Sequence, residues 1–267
     1  MPIINNAVKS TAKTALRGNW TGAIAACCVL LFTLLLCVNI ASAISMFAGN
    51  IAFAVSFLIM LLFLGFPVFL GVLRFIWRMM FSMQDSPLQV FYWFSSTANY
   101  KKAVKFIISF VLRIVFWSVL LNLPAWILQA FSSGYVFEFF DIAAPIWTAN
   151  LKYPIGFLKS AAGIAVFVIM LRYYLAPILL VADDNIDVYE AMHMSSVISR
   201  KTAVDFIYFI FSFLGWILLS LFVVPLIFTL PYIVTSYAVH VRFCVAEYNQ
   251  LIKRISNNQF SHFTAGM

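Results

Sequence analysis

The sequence predicts an all-α, polytopic membrane protein with about six transmembrane helices, short amphipathic cytoplasmic helices and a possible three-fold hairpin repeat. Three observations carry that expectation. Hydrophobic residues make up 64% of the 267 and charged residues 10%, whereas soluble domains carry about a quarter charged. The apolar residues gather into long runs; about 20 residues in a helix rising about 1.5 Å per residue suffice to cross a hydrocarbon slab of about 30 Å. The dyad alternation of outer-membrane strands, about 10 residues at a time between turns, is missing from those runs.

The elements follow in order. Ile3 to Arg17 sets Lys9, Lys13 and Arg17 among Ala, Val and Leu at helical spacing, as in a short helix lying on a membrane surface. Gly18, Asn19 and Trp20 turn the chain inward, and a first span runs from Thr21 to Ile44. Its Ala41-Ser42-Ala43 has the form of a signal-peptide cleavage site, but the apolar run exceeds the roughly 7 to 15 residues of a signal core. The polar link "SMFAGN" leads to a second span, Ile51 to Trp77, which ends with Arg74 and Arg78 four apart on one face, able to snorkel to phosphates.

Lys101 and Lys102 precede a third span, Ala103 to Phe131, in which Pro124 is placed to kink the helix. Ser132 to Phe157 reads as an aromatic and polar loop at the opposite interface, and Leu158 to Val181 as a fourth span. Asp187 is placed to cap a helix that has Glu190 in its first turn. Spans five and six, Ala203 to Val223 and Leu226 to Val245, are separated by little more than Pro225. Residues 1–248 thus form one integral membrane domain, and 249–267 a polar cytoplasmic tail that frays.

The balance of 17 Lys plus Arg against 9 Asp plus Glu would suggest nucleic acid in a soluble protein. In a membrane chain the position of each charge decides its meaning. With the N-terminus inside, an even span count puts about thirteen basic residues in cytoplasmic segments, only Lys152 and Lys159 outside, and Arg113 and Arg172 within spans. Both termini are therefore expected in the cytoplasm. The expected partners are membrane lipids, anionic ones, and not nucleic acid; a protein partner or a homo-oligomer is left open.

Two passages share a grammar. "SSTANYKKAVKF" (95–106) and "SSVISRKTAVDF" (195–206) match in Ser, Ser, Lys, Ala, Val and Phe, and "AKTALRGNW" repeats the order of surface helix, cation and interfacial aromatic. Internal repetition explains this, as in transporters; so does convergence, because any helix leaving the cytoplasm wants a cation before its apolar residues.

No HExxH, GxSxG, Walker A or GxGxxG motif is present, and His193, His240 and His262 are scattered. No nucleophile or acid-base pair is placed with a partner, so no enzyme, cofactor or metal is expected. Asp183 and Asp184 offer hard oxygens to a divalent cation, but no third acid stands at helical spacing, which favours loop charge. Cys27, Cys28, Cys37 and Cys244 lack CxxC spacing and read as packing residues. Trp20, Trp77 and Trp93 read as interface anchors, and Ser212 with Gly215 as a close helix approach.

The informative charges are Arg113 and Arg172, because a guanidinium within a span costs at least about 2.5 kcal/mol on insertion scales. With Arg74, Arg78 and Arg242 they make a candidate lipid-headgroup or anion site, with Asp205 and Glu247 as counter-ions. Snorkelling and salt bridges between spans are the competing reading.

"SFLGWILL" at 212–219, "PYIVTSYA" at 231–238, "ALRGNW" at 15–20 and "YYLAPILLVADD" at 173–184 resemble patterns of the bacterial integral membrane proteins classed as domain of unknown function 975. "HVRF" at 240–243 departs from the aromatic pattern expected there. The resemblance implies about six spans, cytoplasmic termini and a bacterial cytoplasmic membrane; it carries no activity or ligand residues. The expected function is a non-enzymatic scaffold or lipid-interacting accessory factor, and the alternative a transporter or permease component for a small solute.

Overall fold

A computed structural model of the protein describes residues 2–81, 86–133, 138, 139 and 150–264. Among the described residues all regular structure is helical. Hydrocarbon offers no partner to a backbone N–H or C=O, so a single chain segment in lipid satisfies itself by i→i−4 hydrogen bonds.

Helix α1 (Pro2–Leu16) stops where Gly18 adopts φ 87°, a left-handed conformation that suits a residue without Cβ just past a helix end. Its apolar stripe Val8, Ala12 and Leu16 is fully buried. The stripe that was expected to lie on lipid instead belongs to a helix packed against the C-terminal helix of the chain.

Helix α2 (Trp20–Met60) breaks at Gly49, φ 79° and ψ −178°. A Cβ on Gly22 would lie 3.0 Å from Phe75, and one on Gly65 would lie 3.6 Å from Leu34. Those two pairings are antiparallel about Gly49, so the chain reverses there within an otherwise helical link. A π-helical turn (Leu61–Gly65) leads into α3 (Phe66–Met79); the widened turn accommodates Pro67, which has no N–H to donate.

A 3₁₀ helix (Pro87–Phe94), begun by Ser86 accepting from the Leu88 amide, lies across α3. It buries Val90 and Trp93 completely or nearly so, so Trp93 is core and not the interface anchor expected. Helix α4 (Thr97–Ser132) contains Pro124. Helix α5 (Lys152–Met170), a 3₁₀ turn (Leu171–Tyr173) and α6 (Ala176–Ala182) make the next apolar stretch. Of the loop expected between Ser132 and Phe157, positions 134–137 and 140–149 lie outside the described residues.

Asp187 caps α7 (Val188–Ser212) as predicted, accepting from the Tyr189 amide at 3.4 Å. The fifth apolar run is not one helix: α7 ends at Ser212, and a six-residue α8 (Leu214–Leu219) follows the break at Phe213. Helix α9 (Val223–Thr264) then runs back antiparallel to α7, with the Phe213 ring tilted 5.5 Å from Tyr232 and Phe209 stacked 4.8 Å from His240. The segment expected to fray from 249 continues as helix to Thr264.

Among the described residues, four helical stretches are long and apolar enough to cross a membrane: Trp20–Met79, Thr97–Ser132, Lys152–Ala182 and Pro225–Leu251. The two matching sequence passages begin differently: Ser95 and Ser96 separate the 3₁₀ helix from α4, whereas Ser195 and Ser196 sit inside α7.

The chain divides into two compact units, Met1–Ile107 with Tyr173–Met267, and Ile108–Arg172. In the first, Leu70, Val72, Leu73 and Ile76 of α3 are fully buried among the 3₁₀ helix, α6 and α9. In the second, α4 and α5 are tied by Lys159 Nζ donating to Gln129 Oε1 at 2.7 Å.

Candidate functional site

An ionic clamp forms where α3, the 3₁₀ helix and the start of α4 meet the loop between α6 and α7. Arg74 is 4% exposed, and both its terminal nitrogens donate to Asp184, Nη2 to Oδ2 at 2.9 Å. The guanidinium stacks 3.6 Å from the Tyr92 ring centre. Lys102 Nζ donates to the Asp184 carbonyl oxygen at 2.8 Å, and Lys105 Nζ pairs with Asp187 at 3.0 Å. Asp183 instead accepts from the Asn185 amide at 2.9 Å, so the two neighbouring carboxylates turn to different partners and do not present a joint cation site.

The hydrogen bond from Arg74, with its charge and that of Lys102, holds the Asp184 carboxyl below its usual 3.8 although burial opposes this. Stability from the pair is therefore complete above the unfolded carboxyl's value, declines as pH falls below it, and is gone once the lowered folded value is passed. We expect the thermal midpoint of the detergent-solubilised protein to drop below pH 4 more steeply than that of Asp184→Asn. Parallel acid limbs for the two proteins would contradict the pairing.

A second polar group lies inside the first unit. The Tyr174 hydroxyl donates to Thr202 Oγ1 at 2.9 Å and sits 3.5 Å from His240 Nε2 and 3.6 Å from Cys244 Sγ, while the Tyr237 hydroxyl donates to the Tyr174 carbonyl. Beside it a cavity of about 40 Å³ is lined by Lys201, Asp205 and Glu247 among others. That volume suits a water molecule rather than a solute. Nothing in the sequence pointed to this group, because its members are distant along the chain and only His240 and Cys244 share a helical spacing.

A third feature is larger. Lys13 of α1, Arg17 just past its end, Trp20 at the start of α2, Trp216 of α8, and Phe228 and Tyr232 of α9 line a groove of about 380 Å³. Trp216 meets Tyr232 edge to face at 5.3 Å, and Lys13 Nζ stands 6.0 Å from the Tyr232 ring centre. One turn earlier, Lys9 Nζ donates to the Ser212 carbonyl at 2.9 Å and lies 4.7 Å over Phe213. Burial, and then the nearby Lys13 charge, holds the Lys9 ammonium below its usual range.

The residues expected to bind an anion are distributed differently from the expectation. Arg74 does not reach toward headgroups, because α3 is covered at that level and the buried guanidinium needs Asp184. Arg78 is half-buried one turn further along α3. Arg242 is exposed, 4.9 Å over the Phe81 ring. Arg113 and Arg172 belong to the second unit: Arg113 Nη1 returns to the Ser109 carbonyl at 2.9 Å, and Arg172 is exposed in its 3₁₀ turn. Asp205 and Glu247, expected opposite arginines, face one small cavity with Lys201. The counter-ion of Arg74 is Asp184, which sequence reasoning had placed in a solvated loop.

Over residues 3–245 the chain matches the family described as protein of unknown function (DUF975). No curated protein and no solved structure matches it.

Proposed function

The chain belongs to the DUF975 family, and we propose from that premise a non-enzymatic, multi-pass protein of the bacterial cytoplasmic membrane that engages anionic lipid at the inner leaflet and scaffolds there. One observation carries the reading: the long helices expose large apolar side chains along their length, Phe32 at 62% and Leu112 at 62% among them, while cations gather near helix starts and ends. Such a surface is stable in lipid and costly in water. The cations at helix ends match anionic headgroups.

The arrangement of the third hairpin favours four crossings over six. In this reading Trp20–Met79 crosses twice, reversing at Gly49, α4 and the α5–α6 stretch cross once each, and Pro225–Leu251, though long and apolar enough, does not cross. Trp216 and Phe228 flank the turn of the α7–α9 hairpin, yet they line one groove with Arg17 and Trp20, where α2 begins. A hairpin that crossed the bilayer would carry its turn about 30 Å away. The hairpin therefore stays at the inner leaflet and dips Leu221, 78% exposed, into it. The count remains even, so the termini remain cytoplasmic and the same cations stay inside.

A reporter fused after Phe222 and another at the C-terminus are both expected to read cytoplasmic. An external signal from the Phe222 fusion restores six crossings; an external C-terminus rejects the reading altogether. Protein that stays dissolved without detergent rejects it as well.

A further inference from the structure

We infer that the groove between α1, the start of α2, α8 and α9 is a binding site for a phospholipid with an anionic headgroup. The inference rests on the lipid-engaging reading above and names the place where it happens.

Charge points to an anion. Lys13 of α1 and Arg17, one residue past its end with its amide still bonded to the Lys13 carbonyl at 3.1 Å, lie one turn apart on the same side; both are exposed, and among the described residues no carboxylate lines the groove with them. Two cations left facing a concave surface repel each other until an anion joins them. A guanidinium fork beside an ammonium matches the several oxygens of a phosphate better than the two of a carboxylate, since each cation then has its own acceptors.

Shape and polarity point to an amphiphile over a free ion. The groove holds about 380 Å³, within the about 300–1,000 Å³ typical of small-molecule sites and far more than one phosphate fills. Four of its six lining residues are aromatic, and Tyr232 is 4% exposed, so this ring is fixed in place. The Trp216–Tyr232 edge-to-face pair gives the floor a rigid wall. Beyond it Leu218 at 57%, Leu221 at 78% and Phe222 at 68% continue the apolar surface outward. A headgroup phosphate between Lys13 and Arg17 would thus leave its acyl chains running over Trp216 and the α8 tip.

The test uses the full chain in vesicles of phosphatidylcholine doped with phosphatidylglycerol, with retained lipid read by native mass spectrometry after extraction. At about 1 kcal/mol per cation near an anionic surface, Lys13→Ala with Arg17→Ala is expected to weaken retention of phosphatidylglycerol roughly thirtyfold. The charge-keeping pair Lys13→Arg with Arg17→Lys is expected to retain most of it. Lys101→Ala with Arg200→Ala, which removes the same charge from exposed positions outside the groove, is expected to change little. Trp216→Ala is expected to weaken the lipid but not inorganic phosphate.

Equal loss from both charge-removing pairs overturns the site, while leaving general lipid attraction intact; no loss from either overturns both. Competition by inorganic phosphate as strong as by lipid overturns the amphiphile and leaves an anion site. A dimer that persists without lipid and hides Arg17 from a guanidine-reactive reagent overturns the proposal in favour of a second copy as occupant.

Discussion

Replacing Gly71 with alanine is expected to destabilise the protein more than any other single methyl addition among the described glycines. A Cβ there would lie 2.6 Å from the Val90 carbonyl carbon and 3.0 Å from its Cα. Those are backbone atoms, so no rotamer change relieves the clash. The 3₁₀ helix that carries Val90 is held by buried Val90 and Trp93 and capped by Ser86, and it must move as a body. Forcing a group into such packing costs about 1–3 kcal/mol and sometimes more, even though Gly→Ala within a helix is worth about 1 kcal/mol in the opposite direction. The same shift withdraws Tyr92 from the Arg74 guanidinium, so the clamp loosens too. Gly163→Ala in α5, where an added Cβ meets nothing within 4 Å, is the control and is expected to hold or raise the thermal midpoint in detergent. A Gly71→Ala protein as stable as the parent would mean that the 3₁₀ helix does not rest on α3.

The sequence was most legible where one physical constraint acts alone. Hydrocarbon length identifies the apolar stretches, and Asp187 was recognisable as a cap because an Asx side chain before a helical pattern has few other uses. It was least legible where the partner lies far along the chain. The clamp joins residues 110 apart, Arg74 and Asp184, and Asp184 has the same local surroundings as a solvated loop acid until α3 is laid beside it. Trp93 failed for a similar reason: an aromatic beside a predicted interface is a natural anchor, but Gly71 lets the 3₁₀ helix close on α3 and carries that ring into the core. The groove was half visible. Lys13 and Arg17 share a face by spacing alone, whereas Trp216 and Phe228 join them only because the third hairpin folds toward the first helix rather than away from it.

The clamp yields the second large expectation, and its sign depends on which partner is removed. Arg74 has 5% of its side chain exposed and Asp184 52%, so the two charges depend on each other unequally. Asp184→Ala leaves a guanidinium inside the protein, against the Tyr92 ring, without its carboxylate. Breaking a buried pair this way costs about 3–5 kcal/mol, and the wet carboxylate side argues for the lower end, about 3 kcal/mol. Arg74→Met leaves a carboxylate that water already reaches, keeps most of the side-chain volume, and is expected to cost only about 1 kcal/mol. The double variant Arg74→Met with Asp184→Ala is then expected to be more stable than Asp184→Ala alone, because it removes the stranded charge. Thermal midpoints of the four proteins in one detergent decide this. If Arg74→Met is the more damaging single change, the guanidinium is valued for contacts other than Asp184. If the singles simply add, the two residues do not act as a pair.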